Sequence, residues 1–352
     1  MKHRTRRLPD ASPNVVLILA EESDPHAAAV KLVIEREHDV RCIVLDTAHY
    51  PKTTYISSRI DRGSSTLVLD DGRVIATSDI RSVWRRRVLS HEIDADLSDA
   101  AAREVSRRDT RAGLEGFLLG LQRLGCPTIN DPIRESAGLN KAYQLTIARE
   151  LGLPIPPTLI SNDEARVLEF VHDVWSRGSA VVFKGFHAPQ HVLVSTKRFL
   201  PDDTARLGAL QYAPAIFQEF IGGANLRVTV IDDHVFAAEV LVSVAGAEVD
   251  WRLEVYNDVR PYTLERAAER DLIELVRAFG LRYAAIDLKL SGRGELYFLE
   301  ANPWGQFLFV EIQTGQPISR AIANSLIAGL LDVHMPAFGK SGSRIRKDLH
   351  RH

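Results

Sequence analysis

The sequence holds only two cysteines, Cys42 and Cys126, far apart and without C-x-x-C spacing. A disulfide framework and a zinc motif are therefore not suggested, and both thiols are expected to be packed. No apolar run approaches the roughly 20 residues of a membrane span. The stretch before Pro9 has no apolar signal-peptide core, so cytoplasmic is the default location and no membrane partner is expected. Neither sign of charge is in excess: 44 Lys and Arg against 46 Asp and Glu give a net charge of −2, which argues against a general nucleic-acid binder. The basic ends, MKHRTRR and KSGSRIRKDLHRH, read as short disordered tails. Of 12 scattered histidines, His187 and His191 lie close together in an expected loop. There is no G-x-G-x-x-G after the first strand and no G-x-x-x-x-G-K-[ST], which argues against a dinucleotide site and excludes a P-loop.

What is present is an ordinary 352-residue chain, 45% hydrophobic and 26% charged, long enough for two or three subdomains. NVVLILA, a helical stretch around AAAVKLVIERE and VRCIVLD give β-α-β order, hence a small open α/β domain over 1–130. STLVLDDGRVIA reads as a hairpin about Asp71-Gly72, IRSVWRRRV as a strand, and 100–124 as a long helix. From Asp131 the texture changes. NKAYQLTIARELG is a helix ended by Gly152, LPIPPTLIS a proline-stiffened strand, and NDEARVLEFVHDVWSRG a helix capped by Asn162 or Asp163. AVVFKGF and VLVST form a hairpin, and AIFQEFI ends the segment 131–220. A third segment, 221–335, carries a strand pair about Asp232-Asp233, a helix around LERAAERDLIELVRAFG, a further hairpin and a last helix, SRAIANSLIAGLLD. A basic tail closes the chain over 336–352.

The further hairpin is formed by YAAIDLKL and ELYFLEANPWGQF, with SGRG between them as the turn. If the loop is 291–294, Leu290 pairs with Glu295 and Asp287 lies opposite Phe298. Glu300 and Asn302 then share the face of Asp287, because side chains alternate along a strand. Two close carboxylates repel unless neutralised, and an all-oxygen set suits a hard cation such as Mg²⁺, completed by water or phosphate oxygens. The alternative is a solvated hairpin edge.

Phosphate-binding cations should then appear elsewhere. Lys184, alone in the apolar strand AVVFKGF, either meets an anion or a water-filled cleft or sits on the solvent face of an edge strand. Arg227, in NLRVTV, has a fork that suits phosphate. The end of FQEFI offers an adenine-sized slot, and Lys141 opens the helix of NKAYQL.

In this order, Lys141, Lys184, QEFI at 218–221, NLRV at 225–228, AIDLKL at 285–290 and FLEANPWGQF at 298–307 resemble the ATP-grasp superfamily of carboxylate ligases over about 130–332. WRRR at 84–87, DWR at 250–252 and NPWGQFLFVEIQTGQPISRAIANSL at 302–326 look like the microviridin-type peptide ligases, the graspetide synthetases, and extend the resemblance to nearly the whole chain. The resemblance implies an α/β (α+β) ATP-grasp fold, with a pre-ATP-grasp domain in front and the nucleotide between two mixed subdomains.

It also implies roles for individual residues. Lys141 and Lys184 contact ATP phosphates; Gln218, Glu219, Phe220 and Ile221 support the adenine; Arg227 stabilises the transferring phosphoryl group; and Asp287, Glu300 and Asn302 hold magnesium, two ions in all. Asn225 stands where relatives often carry an acidic residue near the ribose, and the loop 185–191 has fewer glycines than many phosphate-covering loops of the superfamily.

The implied reaction converts Asp or Glu side chains of a ribosomal precursor peptide, leader plus core, into acyl phosphates. Ser, Thr or Lys side chains of the same peptide then close ester or amide macrocycles. Asp250 and Arg252, alternating on one strand face, are candidates for orienting the reacting groups; Arg85, Arg86 and Arg87 either meet acidic side chains of the peptide or form a structural cluster. A homodimer is expected from the resemblance alone. Two other readings stand beside this one: a ligase of the same chemistry with another acceptor, such as a protein tail or a small molecule, and a non-catalytic ATP-binding protein.

Overall fold

The computed structural model describes residues 13–186, 196–243, 249, 251 and 258–329. In the first third of the chain β1 (Val15–Leu19), α1 (Pro25–Glu37), β2 (Arg41–Leu45), β3 (Tyr55–Arg59), β4 (Ser64–Val68), β5 (Val74–Ala76), β6 (Ile80–Arg85), α2 (Ala100–Arg123) and β7 (Thr128–Ile129) follow one another. Strands β2, β1, β6 and β7, in that order, form a parallel sheet. Strands β3, β4 and β5 form a small antiparallel one. Both helices start at an acidic cap: Asp24 accepts from Ala27 N at 2.8 Å, with Pro25 as the first helical residue, and Asp99 accepts from Ala102 N at 2.7 Å.

A strand covered on both faces reads as a continuous apolar run, and VVLIL of β1 is buried throughout. Its alternate side chains enter two different cores. Val15, Leu17 and Leu19 pack with Leu114, Phe117, Leu118 and Leu121 of α2. Val16 and Ile18 pack with Val30 and Ile34 of α1 and with Ile318, Ile322 and Leu326 from the far end of the chain.

The middle of the chain holds α3 (Pro132–Gly138), α4 (Lys141–Glu150), β8 (Thr158–Ser161), α5 (Glu164–Ser176), β9 (Val181–Lys184), β10 (Lys197–Phe199) and β11 (Ala215–Glu219). Its antiparallel sheet runs β10-β9-β11-β8. Asp163 caps α5, which lays Val167, Val171 and Val174 against Phe199 and Phe217 of that sheet at helical spacing. Most of the strand expected at 192–196 lies outside the described residues, as do His187 and His191; β10 is what pairs with β9. The short helix α3 is not among the expected elements, although Asp131 and Pro132 give it the same cap-and-proline start as α1.

The last third contributes β12 (Gly223–Ile231), β13 (His234–Val240), β14 (Val259–Tyr262), α6 (Arg266–Ala278), β15 (Tyr283–Ser291), β16 (Leu296–Asn302), α7 (Leu308–Thr314) and α8 (Ile318–Ala328). The five strands form an antiparallel sheet in the order β14-β13-β12-β15-β16. Alternation sorts its faces. Leu226, Val228, Val230, Ile286, Leu288 and Phe298 share a core with Leu272, Leu275 and Val276 of α6 and with Leu145 and Ala148 of α4. The opposite face carries Asn225, Arg227, Asp287, Lys289, Glu300 and Asn302. Helix α8 is fixed by Arg282, which grips Asp232 through Nε and Nη2 at 2.8 and 2.9 Å and donates to Ser325 Oγ at 2.7 Å.

Asn130, fully buried after β7, joins the first third to the last. Its Oδ1 accepts from Arg282 N and Tyr283 N, both at 2.9 Å, and its Nδ2 donates to Tyr283 O at 3.0 Å. Asn130→Ala strands these backbone groups without water, and a cost of roughly 3 kcal/mol is expected. Urea unfolding measures it, and a loss below about 1 kcal/mol would show that the joint is not carried by this side chain.

Candidate active site

The hairpin β15–β16 departs from the expected register. Leu290 pairs with Leu296 rather than Glu295, because the turn is one residue longer. Ser291 N donates to Glu295 O at 2.9 Å, and Ser291 Oγ accepts from Glu295 N at 3.1 Å. Continued unbroken, this register would turn Glu300 away from Asp287. A β-bulge takes up Leu299 and restores the alternation, so that Asp287 lies directly opposite Glu300 and Ala285 opposite Asn302. The three oxygen-bearing side chains therefore share a face, but by a turn and a bulge that offset each other.

The cations come from three elements. Arg227 of β12 lies opposite Asp287 on the neighbouring strand; its Nη1 donates to Asp287 Oδ1 at 2.8 Å and its Nη2 to the Gln306 carbonyl at 3.0 Å. Lys184, the last residue of β9, reaches from the middle sheet to Glu300 Oε2 at 3.4 Å. Lys141, the first residue of α4, places its Nζ 3.6 Å from the same oxygen. Helix α4 is held there by Gln144, whose Nε2 donates to Gly138 O and Ala301 O at 2.6 and 2.7 Å while its Oε1 accepts from Ala301 N at 2.9 Å. Among the described residues three cations thus meet two carboxylates, in a cluster whose side chains are mostly withdrawn from solvent. Among the described residues no group of three or more His, Cys, Asp or Glu is arranged to hold a metal. A cation here would need oxygens beyond the two carboxylates, and the Asn302 amide lies on the same face.

The strand expected to support adenine, β11, is the neighbour of β9 in the middle sheet, with Ile216 opposite Lys184. Gln218 is buried and donates to Thr158 Oγ1 at 2.9 Å, and Glu219 is turned to Arg177 at 2.9 Å. The Phe220 ring centroid lies 4.6 Å from the Arg198 guanidinium and 5.8 Å from the Lys289 ammonium. Ile221 is half-buried, and Asn225 is buried opposite Lys289. Lys289 and Gln144 carried no sequence signal of their own beyond sitting beside Asp287 and Lys141.

Asp250, Arg252 and residues 187–191 of the loop after Lys184 lie outside the described residues. Between the first two, Trp251 sits 5.7 Å from the Phe309 ring and 5.9 Å from the Arg227 guanidinium. In WRRR, Arg85 and Arg86 are buried and only Arg87 is exposed. Arg85 Nη2 donates to Glu135 Oε1 at 3.0 Å; burial pushes the Glu135 carboxyl up, and the Arg85 charge opposes that shift.

After Pro303 the chain turns back under the cluster. Gly305 passes so close to it that a methyl group there would lie 2.2 Å from Ala285 Cβ and 2.8 Å from Arg227 Nη2. Its carbonyl accepts from the buried Tyr283 hydroxyl at 2.7 Å, and burial pushes that phenol up to about 12. His26 Nδ1 accepts from Phe307 N and Leu308 N at 3.5 and 3.3 Å. Burial, helped by the Arg86 charge, lowers the imidazole to about 4.

A lysine from the middle sheet and one from the start of α4, set against carboxylates, an amide and an arginine on the last sheet, are the arrangement of an ATP-grasp ligase. Residues 15–134 match the MvdD pre-ATP grasp domain and residues 139–326 the RimK-like ATP-grasp domain. The chain belongs to the RimK-like ATP-grasp family. It is 28% identical, over 89% of its length and 99% of the other chain, to the macrocyclase MdnC of Microcystis aeruginosa MRC bound with precursor peptide MdnA (TM-score 0.79). It is 26% identical, over 90% and 97%, to the Chryseobacterium gregarium RiPP-associated ATP-grasp ligase in complex with ADP and a leader and core peptide (TM-score 0.81). A probable alpha-L-glutamate ligase of Marinobacter nauticus is 28% identical over 58% of this chain and 68% of its own. No helix among the described residues is long and apolar enough to cross a membrane.

Between pH 6.5 and about 4 the unfolded chain binds a proton at His26 that the folded chain refuses. Stability from this group is therefore full above the unfolded value and falls with pH, by up to roughly 3 kcal/mol. His26→Asn keeps an acceptor toward Phe307 and Leu308, so its urea midpoint should fall less between neutral pH and about pH 4.5 than that of the unaltered protein; equal slopes would contradict the assignment. Gly305→Ala displaces the Arg227 guanidinium. ATP turnover is expected to drop about 100-fold or more in a protein that stays folded, and unchanged turnover would show that the close passage does not matter.

Proposed function

We propose that this protein activates Asp or Glu side chains of a ribosomal precursor peptide with ATP and closes side-chain ester or amide macrocycles. The observation that carries the reading is the convergence of Lys141, Lys184 and Arg227 on Asp287 and Glu300 between two sheets. A macrocyclase and a leader-and-core-peptide ligase align with about nine-tenths of the chain, the glutamate ligase with 58%. The match of residues 15–134 to the MvdD pre-ATP grasp domain, beside the likeness to these two peptide ligases, favours the peptide over a glutamate acceptor.

The donor set is chemically suited to magnesium: two carboxylates and an amide oxygen on one face, all hard ligands, with room in the shell for phosphate oxygens. We assign Asp287, Glu300 and Asn302 to it and propose two ions; bound there, magnesium would neutralise phosphate charge and orient the γ-phosphoryl group. The chain's own cations do the rest. Lys141 and Lys184 hold the phosphates, and Arg227, kept in place by Asp287 and the Gln306 carbonyl, offsets charge on the phosphoryl group as it moves. A carboxylate oxygen of the peptide takes the phosphoryl group and ADP leaves. A Ser or Thr hydroxyl, or a Lys amine, then attacks the acyl carbon, the carbon–oxygen bond to phosphate breaks, and the nucleophile's proton passes to phosphate or solvent. Gln218, Glu219, Phe220 and Ile221 are assigned to the adenine, Asn225 to the ribose side, and Asp250 and Arg252 to the reacting groups.

Incubation of the protein with ATP, Mg²⁺ and a short candidate precursor rich in Thr or Ser and Glu or Asp tests this by intact and tandem mass spectrometry. Loss of one water mass per ring is expected, falling about 100-fold or more in rate with Lys184→Met or Glu300→Gln. ADP release with free glutamate or a protein tail as acceptor, and no mass loss from any such precursor, would replace the macrocyclase reading with that of an amino-acid ligase.

A further inference from the structure

Residues 303–308 are held plane by plane. Peptide units are rigid, so a grip on either edge fixes each one. Trp304 N donates to Asn302 Oδ1 at 2.8 Å, which orients the Asn302 amide itself. The next peptide is held on both edges: Gly305 N donates to Asn302 O at 3.0 Å, and the Trp304 carbonyl accepts from Arg86 Nη1 at 2.6 Å. The Gly305 carbonyl takes the Tyr283 hydroxyl, and the peptide after that is shared between Arg227, through Gln306 O, and His26, through Phe307 N.

Arg86 enters this turn from the first domain. It stands just past β6, 3% exposed, so it is out of reach of a peptide substrate. Its Nη2 lies 3.5 Å from Asp24 Oδ2, and Asp24 is fixed in turn, since its Oδ1 caps α1. The guanidinium therefore spans a rigid helix start and a carbonyl two residues beyond Asn302. A buried charge is a costly way to satisfy one carbonyl; a group whose fork joins two bodies at a set distance and angle makes use of that geometry.

We propose that Arg86 is a positioning residue for the nucleotide–metal side of the site: from the first domain it fixes the 303–308 turn, and through it the Asn302 amide and the Arg227 guanidinium. The inference rests on the assignment of Asp287, Glu300 and Asn302 to magnesium. Ligands held by an outer shell lose about 10- to 100-fold in metal affinity when that shell is removed. Arg86 thus acts on the metal-dependent part of nucleotide binding and leaves the rest.

The test is ADP affinity by calorimetry with and without Mg²⁺, in the unaltered protein, Arg86→Gln, Arg86→Lys, and the double variant Asp24→Asn/Arg86→Gln, which leaves no buried carboxylate without its partner. Mg²⁺ is expected to tighten ADP binding to the unaltered protein. In Arg86→Gln and the double variant that enhancement should shrink about tenfold or more, while metal-free ADP affinity stays within about twofold; Arg86→Lys should recover part of it. An unchanged enhancement in a folded variant, or an equal loss with and without Mg²⁺, would overturn the positioning role. Absence of any enhancement in the unaltered protein would instead overturn the magnesium assignment, and the inference with it.

Discussion

Asp287 and Glu300 stand directly opposite each other on adjacent strands, and two carboxylates in that relation repel unless cations meet them. The architecture of the site follows from meeting that demand from three directions. Arg227 comes from the next strand of the same sheet, Lys184 from the tip of a strand in another sheet, and Lys141 from the first turn of α4. Among the described residues three cations are set against these two carboxylates, an arrangement that suits a polyphosphate. The apolar reverse face of the sheet, packed on α6 and α4, holds the polar face rigid.

Much of this was legible in the sequence because it is local. Polar residues at alternate positions in apolar runs identify a face, and 225, 227, 287, 300 and 302 were picked out that way or by resemblance. The register was not legible. Leu290 to Glu295 looked like the shortest turn that SGRG allowed, whereas the Ser291 hydroxyl supports a longer one. The bulge at Leu299 then returned Glu300 to the face where the simpler count had put it.

Asn130, Gln144 and His26 stayed hidden for a different reason. Each is a lone polar residue that bonds main-chain groups more than 150 residues away, and no period or spacing in the chain reports such a bond. Arg85 and Arg86 were visible as a cluster, but charge alone does not say whether a guanidinium faces water or a buried carbonyl. Their burial comes from the tertiary fold: the turn after Asn302 and helix α3 cover them.

The division of β1 between two cores bears on how the chain is made. Val15, Leu17 and Leu19 receive their cover from α2, about 100 residues on, but Val16 and Ile18 wait for Ile318, Ile322 and Leu326 of α8. At about 5–20 residues per second that interval of some 300 residues lasts on the order of 15–60 s. Through that time one side of β1 is only half covered, and the nascent chain stays open to chaperones until α8 arrives.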